Sequence, residues 1–224
     1  WWMQGVLGLL ASRAFYGATT SLPLQSFNME VQHELAFRTL QSGLNTGKIV
    51  VRIVTRTTGC DGAHVVTGGT AGLGLLTGRW LAQCGASSLV LASRSGALAK
   101  DAGVEWEAVQ ACSATPSLER CDTGEPVDIR RLVANASSLC GVWHAAGVLA
   151  DALLHNQTTV TIARSCAPKA LGAWALHAAS MSMILHVCLF FSSVAALLGS
   201  PGQSNYAAAN ATLDALASSR RDRV

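Results

Sequence analysis

Charged side chains are scarce. Asp, Glu, Lys and Arg make up only 13% of the 224 residues, while 50% are hydrophobic. That balance argues against a disordered chain and fits one packed core with an appendage. The net charge is +3. Its densest groupings, around Arg130-Arg131 and Arg220-Arg221, read as solvated helix faces, so no nucleic-acid surface is expected. No two of the seven cysteines (60, 84, 112, 121, 140, 166 and 188) stand at CxxC spacing. A zinc site is therefore not expected, and the cysteines read as reduced, buried small side chains of a cytoplasmic protein. No methionine opens the chain, and its first residues lack the basic start of a signal peptide. Residues 170–213 contain no Asp, Glu, Lys or Arg at all. That raises a membrane span, but His177, His186 and the Gly/Pro breaker at 199–205 interrupt it, and its most apolar part, 183–191, is only strand-length. A buried parallel strand is expected, with no membrane insertion. The chain ends soon after a helical pattern with no closing strand, which reads as a piece of something longer.

Residues 1–59 form a first block. Val31, Leu35, Ala36 and Leu40 have helical spacing, Gly43, Asn45 and Gly47 end the helix, and Lys-Ile-Val-Val-Arg-Ile-Val from 48 is a strand. Residues 55–62 read as a linker. From His64 onward, five short apolar runs alternate with helical patterns at 73–83, 101–111, 129–135, 151–176 (with interruptions) and 206–220. Nearly continuous apolar strands at this interval predict an α/β fold, a Rossmann-like open parallel sheet with both faces covered, spanning residues 60–224.

The first strand runs directly into Thr67-Gly-Gly-Thr-Ala-Gly-Leu-Gly74. This is neither GxGxxG nor a P-loop, but it lies between a strand and a helix, where such a turn can hold a pyrophosphate. Gly68 permits the tight turn, Gly72 admits a phosphate at the helix N-terminus, and Gly74 allows close helix–sheet packing. Thr70 and Leu73 complete the turn. Arg94 stands 20 residues past Gly74, at the end of the second strand and between Ser93 and Ser95. An acidic residue there suits NAD, whereas an arginine suits a 2′-phosphate. Asp122, after the third strand pattern, either contacts an adenine amino group or caps the next turn.

Ser192, Ser193, Tyr206, Asn210 and Lys169 lie near the carboxyl ends of strands or on adjoining helices, where open α/β sheets bind ligands. Tyr206 and Asn210 are one helical turn apart. A serine and a tyrosine can both hydrogen-bond a carbonyl oxygen, and the tyrosine can give it a proton, aided by a nearby ammonium. Lys169 is the only lysine after Lys100, and it sits in an otherwise uncharged helical pattern.

Five stretches carry a resemblance: His-Val-Val-Thr-Gly-Gly from 64, Leu-Val-Leu-Ala-Ser-Arg-Ser-Gly from 89, Gly-Val-Trp-His-Ala-Ala-Gly from 141, Ala-Pro-Lys-Ala-Leu-Gly from 167, and residues 190–217 around Tyr206. Together they resemble the ketoreductase domain of reducing polyketide synthases and animal-type fatty acid synthases, within the short-chain dehydrogenase/reductase superfamily. The resemblance implies an NADPH-dependent reduction of a β-ketoacyl thioester held on the phosphopantetheine of an acyl carrier protein, beside other domains of one megasynthase. It implies catalytic roles for Tyr206, Ser193, Lys169 and Asn210. Cofactor contacts are implied for Gly68, Thr70, Gly72, Leu73, Gly74, Ser93, Arg94, Ser95 and Asp122, and for the backbone at Ala145, Ala146 and Gly147. The superfamily's usual YxxxK reads Tyr-Ala-Ala-Ala-Asn here, an exchange these synthase domains share, with the lysine supplied from upstream. The family's Leu-Asp-Asp signature, found in the type giving a D-configured β-hydroxyl, reads Leu149-Ala150-Asp151. Leu198 stands where the other type has tryptophan, so the D product is expected. Residues 1–59 resemble the C-terminal end of an enoylreductase domain. The alternatives are a free-standing short-chain dehydrogenase for small ketones and a non-catalytic nucleotide-binding scaffold.

Overall fold

Apolar strands with few polar alternations must be covered on both faces, and the structure meets that requirement with helices on either side of one parallel sheet. The computed structural model describes residues 24–44, 48–52, 62–136 and 138–221. Two compact units divide the chain, residues 1–56 and 57–224.

In the first unit, β1 (Leu24–Asn28) pairs in parallel with β2 (Lys48–Arg52), and α1 (Met29–Gln41) connects them. The expected helix is present, with an unforeseen strand before it. Its predicted apolar face is only partly used. Ala36 is buried, but Leu35 and Leu40 stand more than half exposed, because two strands offer little surface to cover.

The second unit holds the sheet. Its strands are β3 (Ala63–Thr67), β4 (Ser88–Ser93), β5 (Thr115–Arg120), β6 (Leu139–His144) and β7 (Val187–Phe190), in the order β5-β4-β3-β6-β7, all parallel. The central strands β3 and β6 are buried along their whole length. The helices are α2 (Gly72–Gln83), α3 (Gly103–Gln110), α4 (Pro126–Asn135), α5 (Thr159–Cys166), a π-helical turn (Ala167–Leu171), α6 (Gly172–Ala179), the short α7 (Ala195–Leu198) and α8 (Ser204–Arg221). One core layer joins Ile129, Leu132 and Val133 of α4 to Leu176 of α6 beneath the sheet. The other joins Leu75 and Leu81 of α2 to Val109 of α3 and Trp143. The helix expected over 151–176 begins only at Thr159, after a 3-10 turn at Leu154–Asn156, and is interrupted by the π turn.

Two expectations need correction. The apolar run 183–191 expected as a strand pairs over Val187–Phe190 only, against Gly141 to His144 of β6. The cysteines are not all free thiols. Among the described residues Cys112, Cys121, Cys166 and Cys188 are free thiols, but Cys140 is disulfide-bonded. Spacing alone could not reveal this, since disulfides join residues that the fold brings close, not residues close in sequence. The predicted linker lies almost wholly outside the described residues. Among those described, no cluster of His, Cys, Asp and Glu could hold a metal ion, and no helix is long and apolar enough to cross a membrane.

Candidate active site

The glycine turn is shaped by what cannot fit in it. Gly68 has φ +68°, and a Cβ there would stand 2.9 Å from the Ala146 nitrogen. A side chain at residue 74 would overlap the Gly68 carbonyl oxygen. The turn is thus pressed between the start of α2 and the segment after β6, and the Ala145 amide donates to the Thr67 carbonyl at 3.0 Å. Gly72 differs. Its φ is +48°, and a Cβ there would meet no protein atom within 4 Å. Bare backbone therefore faces open space at the N-terminus of α2, whose first turn carries no acidic residue. This is the electropositive, unobstructed end that a pyrophosphate requires. Thr70 is buried, and Leu73 is largely exposed. Gly69, not singled out from the sequence, is needed as well: a Cβ on it would lie 3.0 Å from Leu91 Cα of β4.

At the end of β4, Ser93 Oγ accepts from the Gly96 amide at 3.2 Å, and Ser95 Oγ accepts from the Ala97 amide at 3.2 Å. The two serines build a tight loop in which Arg94 is exposed. Arg94 has no ion-pair partner among the described residues. At the end of β5, Asp122 Oδ1 accepts from the Gly124 amide at 2.9 Å, so one of its oxygens caps the next turn.

A cavity of about 200 Å³ lies at the carboxyl ends of the strands, lined by Leu73, Ala145, Gly147, Lys169, Ser192 and Tyr206 among others. Three residues predicted for the cofactor side, Leu73, Ala145 and Gly147, thus meet Lys169, Tyr206 and Ser192 of the reaction side here. The Lys169 stem crosses Gly147 so closely that a Cβ there would stand 2.8 Å from its Cε. Its ammonium lies 5.4 Å from the centre of the Tyr206 ring and donates to the Phe191 carbonyl at 2.9 Å.

Ser193 and Asn210 do not line this cavity. Ser193 Oγ accepts from the Ala195 amide at 3.2 Å and so opens α7. Asn210 is fully buried, and its Nδ2 donates to the Tyr206 carbonyl at 2.8 Å, one turn back along α8. Asn205 was missed from the sequence. It is buried, and its amide hydrogens are shared among the Ala150 carbonyl (2.8 Å), the Thr161 carbonyl (3.1 Å) and Ser165 Oγ (3.2 Å), while its Oδ1 accepts from the Tyr206 amide. With Gln203 donating to Asp151 at 3.0 Å and the Ala152 amide donating to the Gly202 carbonyl at 2.9 Å, it fastens the loop after β6 to the start of α8. The signal was an asparagine immediately before the tyrosine, which a helix cap explains equally well.

Residues 62–224 match the KR domain family. The chain belongs to the ketoreductase, or KR, domain family. It is 37% identical over 226 residues to a phenolphthiocerol/phthiocerol polyketide synthase polypeptide of Mycobacterium tuberculosis, an alignment covering 92% of this chain and 10% of that protein. It is 45% identical over 165 residues to a mycocerosic acid synthase-like polyketide synthase of the same species, covering 72% of this chain and 8% of that one. The chain therefore spans about a tenth of the curated relatives it matches. Among solved structures, one described as an A-type ketoreductase from a modular polyketide synthase aligns with TM-score 0.69 at 35% identity, covering 76% of this chain and 37% of the other. The first ketoreductase of the tylosin synthase aligns with TM-score 0.68 at 35% identity, covering 72% and 36%. As the sequence resemblance implied, the ketoreductase is an oxidoreductase domain of the short-chain dehydrogenase/reductase superfamily.

Burial acts strongly on Lys169, which is 3% exposed. Desolvation lowers its pKa to about 8, opposed only by the Asp214 carboxylate. Below pH 8, folded and unfolded chains both hold the proton, and the folded chain bears the cost of a buried charge. As pH rises from about 8 towards the ordinary 10.5, the folded chain sheds a proton that the unfolded chain keeps, so this cost is relieved. Lys169→Met removes the group from both states. Urea unfolding at pH 7 and pH 10 is expected to show the stability advantage of the Met variant over the parent shrinking at the higher pH. An advantage that stays constant would mean that the ammonium is not desolvated.

Proposed function

We propose that the ketoreductase reduces a β-ketoacyl thioester, carried on the phosphopantetheine arm of an acyl carrier protein, to the β-hydroxyacyl thioester within a polyketide or fatty acid megasynthase. The observation that carries this reading is the Lys169 ammonium over the Tyr206 ring, in a cavity that opens between the glycine turn and α8. The bare N-terminus of α2, the glycines whose absent side chains leave room, and the exposed, unpaired Arg94 fit NADPH. The diphosphate falls to Gly68, Thr70, Gly72, Leu73 and Gly74, the 2′-phosphate to Arg94 with Ser93 and Ser95, the adenine to Asp122, and the ribose to the backbone of Ala145, Ala146 and Gly147. NADPH, when bound, supplies the hydride.

The chain's own residues supply the proton and the orientation. Tyr206 gives its phenolic proton to the ketone oxygen as the carbonyl carbon is reduced, which yields the hydroxyl. The Lys169 ammonium stabilises the phenolate left behind until it is reprotonated. A serine at the end of β7 donates the second hydrogen bond to the carbonyl oxygen. The family resemblance assigns that role to Ser193. Asn210 holds the turn of α8 that presents Tyr206. Residues 1–59 are the C-terminal end of an enoylreductase-like domain. In support, the first relative's alignment covers more of this chain than the KR match alone and so reaches into the first unit.

Four outcomes test the reading, each measured in the synthase polypeptide that carries this domain. Tyr206→Phe keeps the ring and removes the proton donor. It should lower kcat by about 10²–10⁴-fold with NADPH affinity nearly unchanged, and near-normal turnover would assign the proton to another group. Parallel Ser192→Ala and Ser193→Ala variants show which serine acts, the loss being expected at Ser193. Arg94→Ala should erase roughly ten- to hundredfold of the NADPH over NADH preference, because a charge-assisted contact of about 1.5–3 kcal/mol is lost. An unchanged ratio of kcat/KM values would remove Arg94 from the cofactor site. Chiral chromatography of the product should give the D-configured hydroxyl, and a predominantly L product would overturn the assignment drawn from Leu149-Ala150-Asp151 and Leu198.

A further inference from the structure

We propose that His144, which is not among the residues that line the cavity, is a positioning residue that locks the Lys169 backbone to the sheet. The inference rests on the reading of Lys169 as the ammonium that serves Tyr206.

His144 is the last residue of β6 and is completely buried. Its Nε2 lies 3.2 Å from the Lys169 carbonyl oxygen, and its Nδ1 lies 2.7 Å from Thr67 Oγ1. A carbonyl can only accept, so Nε2 must carry the proton and donate. Nδ1 is then the acceptor, and the Thr67 hydroxyl must donate to it. Both partners are therefore satisfied by one tautomer of a neutral ring. Burial keeps the ring neutral, lowering its pKa to about 4. The ring also cannot swivel. Phe190 stands edge-on at 6.1 Å between centroids, and Gly172 approaches so closely that a Cβ would lie 3.2 Å from His144 Cε1.

The location gives this contact its consequence. Lys169 is in a π turn, where the hydrogen-bond ladder is widened and the Gly172 amide is shared between the Ala167 and Lys169 carbonyls. A helix does not fix its own geometry well at such a turn. His144 adds a second donor to the Lys169 carbonyl from outside the helix. At its other end the ring holds Thr67, the residue before Gly68. A run of contacts therefore leads from the glycine turn through Thr67 and His144 to the Lys169 backbone, and on from its ammonium to the Phe191 carbonyl at 2.9 Å. The titratable groups that face the ammonium are Tyr206, Asp214 of α8 and the neutral His144 itself.

The test uses the synthase polypeptide with Lys169→Ala as reference and compares His144→Leu, His144→Gln and Thr67→Val. His144→Leu fills the space without a donor. It is expected to lower kcat about tenfold, the scale of a slightly misplaced catalytic group, with KM for NADPH within about twofold. It should also displace the pH profile of kcat and the pH dependence of Lys169 labelling by trace acetic anhydride, read by mass spectrometry without turnover. His144→Gln, whose amide can still donate to the Lys169 carbonyl, should recover most of kcat and the parental labelling curve. A purely structural histidine predicts a lower melting temperature with kcat, pH profile and labelling of the folded enzyme unchanged, and that result overturns the proposal. If His144→Leu does not fold, Thr67→Val decides. It removes only the hydroxyl that fixes the tautomer and should move the labelling curve in the same direction, and an unmoved curve is fatal. Full turnover in Lys169→Ala would instead refute the reading of the ammonium on which the inference stands.

Discussion

The carboxyl end of the sheet is organised around one buried ammonium. Lys169 is removed from water, and among the described residues its hydrogen-bond partner is one backbone carbonyl, that of Phe191. A charge so poorly compensated is tolerated only where the surrounding structure holds it in place. The π turn, the missing side chain at Gly147 and the ring of Tyr206 all give way to it. Stability is given up at this point in exchange for an ammonium whose protonation changes near neutral pH, the range a proton-transfer site needs.

The side of the glycine turn follows an opposite rule. There, the turn is set by sterics, and the side chains of Ser93, Ser95 and Asp122 accept from backbone amides of the adjoining loops. Gly68 and Gly74 allow three segments to meet at van der Waals distance, and Gly72 leaves the helix N-terminus open. This division explains what could be read from the sequence. Glycines placed between an apolar strand and an amphipathic helix carry their reason in their spacing, so the turn and the five-strand sheet were legible.

The reaction side was legible in its residue types but not in its contacts. Tyr206 and Lys169 could be named, because a tyrosine at a helix start and a lysine in an uncharged segment are both unusual. Which serine faces the cavity was not readable, since adjacent residues at a strand end point in opposite directions and the strand stops earlier than its apolar run. Asn205 and His144 escaped notice for a related reason. These partners lie 25 or more positions away in sequence, at Ser165 and Ala150 for one and Thr67 and Lys169 for the other, and no local pattern encodes such pairs. The disulfide at Cys140 was hidden in the same way.

The exchange of lysine for asparagine four residues after the tyrosine has a structural consequence. Where lysine follows tyrosine by one turn, a single helix sets the distance between ammonium and phenol, and the regularity of the helix is enough to keep it. Here that position is Asn210, whose side chain turns back to the Tyr206 carbonyl. The ammonium arrives from a different segment, one that is locally irregular. Its distance from the phenol is therefore a tertiary quantity, fixed by how the π turn docks on β6 and how α8 docks on the loop after it. Both dockings are made by buried polar side chains with several partners each, His144 for the first and Asn205 for the second. A lysine moved off the tyrosine helix thus requires polar contacts at two interfaces that would otherwise be apolar, and both are found in this chain.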